Sequence, residues 1–67
     1  MKLHINGEEV SLPDSITRLD EVLRHYNLEQ KMIIIEYNRK VLNKQEYGMT
    51  RMEEGDSIEI VQFVGGG

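Results

Sequence analysis

The sequence contains no cysteine. Disulfides, zinc–thiolate sites and thiol nucleophiles are therefore excluded. Positive charge is scarce as well: 8 Lys and Arg stand against 12 Asp and Glu, a formal charge of −4. That balance argues against nucleic acid as a partner, because a phosphate backbone requires a basic face. Neither an apolar run of about 18 residues nor a signal-peptide pattern is present, so no membrane partner and a soluble, cytoplasmic protein are expected. The motifs of enzymes are missing too, with no phosphate-binding loop, dinucleotide fingerprint or nucleophile elbow. His4 and His25 fall on different elements, and Asp14, Glu53, Glu54 and Asp56 read as turn and surface acids, so no metal site and no catalytic residue is assigned. At 67 residues the chain is one domain, too small to build a deep active site from its own elements.

What is present reads as a globular α+β domain, 39% hydrophobic and 30% charged. Lys2–Ile5 and Glu9–Leu12 alternate polar and apolar residues around Asn6-Gly7, the pairing that best supports a type I′ hairpin. Pro13-Asp14-Ser15 ends the second strand. A helix is expected from Thr17, with Thr17 as cap and Asp20 completing a variant capping box. Leu19, Val22, Leu23 and Tyr26 form its apolar stripe, while Arg18, Glu21, Arg24 and His25 face water. Asn27 is placed for a left-handed cap, with Leu28 folding back on the helix end. Met32–Tyr37 is a β-branched strand, Asn38-Arg39-Lys40 a turn, and Val41-Leu42 a short return. Lys44–Met52 reads as a loop with one helical turn, Glu54-Gly55-Asp56 as a turn, and Ser57 to about Phe63 as the last strand. The order is β-β-α-β-β-β: a mixed sheet of about five strands with the helix across one face and the last strand beside the first. Residues 1–63 form the domain, and 64–67 a flexible tail.

Strand alternation then separates two faces. Ile58 and Ile60 share the helix side with Ile33, Ile35 and Tyr37, whereas Ile34, Val61 and Phe63 are left on the open side. A sheet covered on one face should be polar on the other, so these residues, with Val64, form a candidate partner-docking patch near the chain's end. That end is Gly65-Gly66-Gly67. Glycine lacks a Cβ, so its backbone fits channels closed to other residues. Four residues from Val64 reach at most roughly 13–14 Å, enough to carry a terminal carboxylate into a partner's active site. A loose terminus of no function is the plainer alternative. The Gly67 carboxylate is ionised at neutral pH and a poor electrophile, so acyl chemistry there needs activation by another protein.

Together these features resemble the ubiquitin-like β-grasp sulfur carriers, the ThiS/MoaD family, across the full chain. The resemblance rests on the Asn6-Gly7 hairpin, on Tyr37–Leu42, on Glu54-Gly55-Asp56-Ser57-Ile58-Glu59-Ile60-Val61 and on Phe63-Val64-Gly65-Gly66-Gly67. It departs from the family at Asn38-Arg39, where a glycine often follows the asparagine. The thiamin-pathway ThiS branch is the better match. The resemblance implies that a ThiF-like E1 adenylating enzyme activates Gly67 with ATP, and that a cysteine desulfurase relay supplies sulfur to give a thiocarboxylate. A ThiG-like thiazole synthase would then receive the sulfur. Gly65, Gly66 and Gly67 would thread the partner sites, and the protein would be a carrier with no bound cofactor. The rival readings are the MoaD-like small subunit of molybdopterin synthase and a ubiquitin-like modifier conjugated to lysines.

Overall fold

A computed structural model describes residues 1–62. Residues 63–67, and with them Phe63, Val64 and the three terminal glycines, lie outside the described residues. Strands β1 (Lys2–Ile5) and β2 (Glu8–Ser11) form the expected hairpin. Its corner is set by positive φ at both Asn6 (52°) and Gly7 (85°), which is what a type I′ turn demands. Helix α1 (Leu19–His25) follows, then β3 (Ile33–Tyr37), β4 (Lys40–Val41) and β5 (Ser57–Gln62). Short 3₁₀ segments cover Gln30–Met32 and Lys44–Met49. The spatial order is β2-β1-β5-β3-β4, so β5 is central. It runs parallel to β1 and antiparallel to β3. The mixed five-stranded sheet with one helix is the expected architecture.

The helix buries Leu19, Val22 and Leu23 against the sheet residues Leu3, Ile35 and Ile58. Ile5 and Ile60 pack on this core from its margin. Tyr26, counted from its spacing into the buried stripe, is instead the C-terminal cap and 41% exposed. The helix has ended by then. Asn27 takes φ 62°, its N–H donates to the Arg24 carbonyl, and the Leu28 N–H donates to that of Leu23. Those two bonds are a Schellman closure, and Leu28 folds back against the core as expected.

The helix start differs from the sequence reading. Arg18, not Thr17, is the cap, and the carboxylate that reaches back to it is Glu21, three residues on. Glu21 Oε1 accepts from the Thr17 N–H (2.9 Å), the Arg18 N–H (2.9 Å) and the Thr17 hydroxyl (3.2 Å). Glutamate at that position reaches back to the free N–H groups, whereas the shorter Asp20 is taken by the Arg18 guanidinium. Three strand boundaries also move by one residue, the first being β2, which covers Glu8–Ser11 in place of Glu9–Leu12. Met32 belongs to the 3₁₀ turn before β3, and β4 starts at Lys40, which leaves Leu42 past the strand with its side chain buried.

The segment read as a loop holds a principal core residue. Tyr47 is 1% exposed, carried inward by the 3₁₀ helix that packs on α1. That helix starts with a second capping carboxylate, Glu46 Oε1 accepting from the Asn43 N–H at 2.9 Å. No described helix is long and apolar enough to cross a membrane.

Candidate functional site

The central strand delivers the chain to Gln62, the last described residue, so the candidate site is what surrounds the final turns of β5. β3 pairs with β5 along its length, from Tyr37↔Ile58 to Ile33↔Gln62. β1 pairs only with its beginning, at His4↔Ser57 and Ile5↔Ile58. Where β1 turns away, the Asn6 side chain takes over the ladder. Its Oδ1 accepts from the Ile60 N–H at 2.7 Å and its Nδ2 donates to the Ile60 carbonyl at 3.4 Å. Asparagine at this corner therefore does two jobs, adopting positive φ and imitating a strand for two further residues of β5. The strand is thus held on both sides as far as Ile60, and by β3 alone at Val61 and Gln62.

Ile34 and Val61 are directly opposite each other in the β3–β5 register, on the face away from the helix, and are 36% and 51% exposed. Both thus stand on the open face, as strand alternation predicts. The remaining members of the sequence-derived site, Phe63, Val64, Gly65, Gly66 and Gly67, lie outside the described residues. One row along, Glu36 faces Glu59, and Val41 of β4 beside Glu36 is 63% exposed. These neighbours were not part of the sequence-derived patch, although period-two counting puts them on the same face.

A second feature lies on the opposite side of β5. A groove of about 380 Å³ opens between the hairpin and the helix end, lined by Ile5, Val10, Tyr26, Leu28, Ile60 and Gln62 among others. Sequence reasoning missed it, because it depends on how far the helix stops short of the hairpin. The outward position of Tyr26, rather than any motif, creates its rim.

The acidic turn before β5 is structural. Asp56 accepts from the Tyr37 hydroxyl, from the Glu53 N–H at 2.7 Å and from the Asn38 amide at 3.3 Å. Burial works against ionisation of Asp56, but these bonds outweigh it and hold the carboxyl below its ordinary value. Partial burial, reinforced by the bond to Asp56, pushes the Tyr37 phenol well above its ordinary value. Glu54 accepts from the Lys2 N–H at 2.9 Å, and Gly55, at φ 86°, donates to the Lys2 carbonyl at 2.8 Å. Among the described residues no group of three His, Asp or Glu is placed to hold a metal ion.

A single helix gripped by a mixed five-stranded sheet, with parallel first and last strands at its centre, defines the ubiquitin-like β-grasp class. The crystal structure of the thiamine biosynthesis protein ThiS from Geobacter metallireducens superposes with a TM-score of 0.81 at 28% identity, covering 100% of both chains. The solution structure of a thiamine biosynthesis protein from the same organism gives 0.83 at 26% identity, over 100% of this chain and 88% of that one. The sulfur carrier protein ThiS of Bacillus subtilis (strain 168) is 37% identical over 65 residues, 97% of this chain and 98% of that protein. A model of the ThiS family matches residues 3–67, and the chain belongs to that family. A thiazole synthase of Paramagnetospirillum magneticum is 36% identical over all of this chain, which spans 20% of that protein's length.

Proposed function

We infer that this protein is a sulfur carrier of thiamin biosynthesis, a co-substrate of partner enzymes and not itself a catalyst. The observation that carries the reading is the match to the ThiS family over residues 3–67, glycine tail included, on a domain whose central strand is paired as far as Gln62. The Gly67 carboxylate is the carrying group. An E1-like adenylating partner joins it to the AMP portion of ATP with release of pyrophosphate. A persulfide, its outer sulfur drawn from cysteine through a desulfurase relay, then displaces AMP to form an acyl disulfide. A second thiol of the relay cleaves the S–S bond, forming a disulfide with the relay's first thiol and releasing the thiocarboxylate. Attack at this carbonyl meets no side chain, because Gly65, Gly66 and Gly67 carry no Cβ. Without cysteine, the carrier has no thiol of its own to intercept the activated acyl group.

A thiazole synthase is the proposed acceptor. Support comes from the Paramagnetospirillum protein of that name, one stretch of which is similar to the whole of this chain. The names of the full-length relatives favour the thiamin destination over molybdopterin synthase. Intact-mass measurement after incubation with ATP, the adenylating partner and a sulfur source is the direct test. Replacement of one oxygen by sulfur, located at Gly67 by fragmentation, is expected. A mass unchanged under conditions where the partner consumes ATP overturns the reading, and an isopeptide-linked product would assign the protein to the modifiers.

A further inference from the structure

The open face combines two things that an isolated domain gains nothing by combining. Ile34 and Val61 form an exposed apolar pair across β3 and β5, and the neighbouring row of the same face opposes Glu36 to Glu59. Residues directly opposite in an antiparallel pair hold their Cβ atoms about 5 Å apart, and like charges so placed are destabilising. Among the described residues neither carboxylate enters an ion pair, and neither accepts a hydrogen bond from a neighbouring side chain or N–H group. The acids of the preceding turn differ in this respect, since Asp56 and Glu54 are both held by donors. The Glu36–Glu59 pair is thus a concentration of negative charge with no structural employment, flanked by Val41 on one side and by Ile34 and Val61 on the other.

Anything that covers Ile34 and Val61 also takes Glu36 and Glu59 out of water. Burial of a carboxylate without a counter-charge is prohibitive, and one partner charge between two acids is the economical solution. A second copy of this chain cannot supply it, because a two-fold contact through this face would set four carboxylates together. We propose that the partner seated on this face presents a basic side chain, an arginine by preference, between Glu36 and Glu59, with an apolar surface against Ile34 and Val61. This inference rests on the carrier reading and identifies the chemistry by which the activating enzyme holds the body of the domain while the tail is adenylated. Arginine suits the gap because its planar fork can donate to both carboxylates at once. The net charge of −4 adds steering toward such a surface.

The test is ATP–pyrophosphate exchange by the activating enzyme, with the whole carrier as variable substrate, at about 0.05 M and 0.5 M salt. The double variant Glu36→Gln/Glu59→Gln is expected to raise the carrier's KM about tenfold at low salt and to flatten its salt dependence. Its urea midpoint should stay level or rise, because a repulsion is removed. Glu36→Lys/Glu59→Lys should raise KM further. A KM and salt dependence equal to the parent's overturn the proposal, as does a double Gln variant that self-associates while keeping the parent's KM, which would make the carboxylates guards against aggregation. A parent protein that supports no exchange at any concentration sinks the carrier reading and this inference with it.

Discussion

At the scale of single residues, stability concentrates in few places because the domain is small. Leu23 is 1% exposed and lies between helix and sheet. Leu23→Ala should cost roughly 2–5 kcal/mol, a large share of what such a domain possesses, and urea denaturation measures it. Arg39 has the opposite character. It takes φ 71° in the Asn38-Arg39 turn, beside Asn38 at 48°, a left-handed pair in which glycine is the relaxed second residue. The turn survives because Asn38 accepts from the Ser57 N–H at 2.8 Å and donates to its carbonyl at 2.8 Å. Arg39→Gly should therefore stabilise the domain by about 1 kcal/mol, relief of the left-handed strain exceeding the added entropy of the unfolded chain. An unchanged or lower urea midpoint would show that the arginine is not strained there. At Gly67 the expectation concerns chemistry alone: a single residue added after it should abolish thiocarboxylate formation in the intact-mass assay with the urea midpoint unchanged.

At the scale of elements, the ends of helices and strands are where carboxylates act. N–H groups of Thr17 and then Arg18 hold Glu21 below its ordinary value, and donors around Asp56 do the same there. Both groups ionise more readily in the folded chain than in the unfolded one. Their stabilisation is complete above the unfolded carboxyl values, about 4, and is lost as pH falls through the lower folded values. Tyr37, raised in the fold, works the other way: its contribution is intact below about 10 and declines as pH climbs beyond. A urea-midpoint profile should fall on the acid side, and Glu21→Gln with Asp56→Asn should flatten that limb; a limb as steep as the parent's would place its origin elsewhere. Much of this architecture was legible in the sequence. Asn6-Gly7 announced its hairpin, Asn27 its helix end, and the alternation in Ile58–Val61 both faces of β5. The misses have physical causes. Asp20 and Glu21 both place a carboxylate in the first turn, and only geometry decides that the longer glutamate reaches back to the free N–H groups. Tyr47 sits in a six-residue 3₁₀ helix too short to show a period, although Asn43 and Glu46, at capping-box spacing, marked its start.

For the molecule as a whole, the candidate site divides between what folds the domain and what a partner would grip. Ile34 and Val61 lie outside the core that Leu23 belongs to. Ile34→Ala/Val61→Ala should weaken docking to the activating enzyme by on the order of 1–3 kcal/mol and disturb unfolding far less than Leu23→Ala. Calorimetric binding and urea denaturation on the same variant separate the two. A stable variant that docks as the parent does would remove this face from the docking surface and point to the groove at Tyr26 and Leu28, which approaches Gln62 from the other side.

The parallel neighbours β1 and β5, with Asn6 closing on Ile60, also set how the molecule bears load. Opposed tension applied at Lys2 and beyond Gln62 slides β1 and β5 lengthwise past each other, so their linking bonds are strained together rather than opened one after another. On the other flank, antiparallel pairing continues to Ile33↔Gln62, directly behind the point of pull. An enzyme that draws the tail into a narrow site would thus be hauling on an anchor. The body resists as one piece, so a pull on the chain beyond Gln62 meets a strand anchored on both of its neighbours rather than one that peels away from an edge.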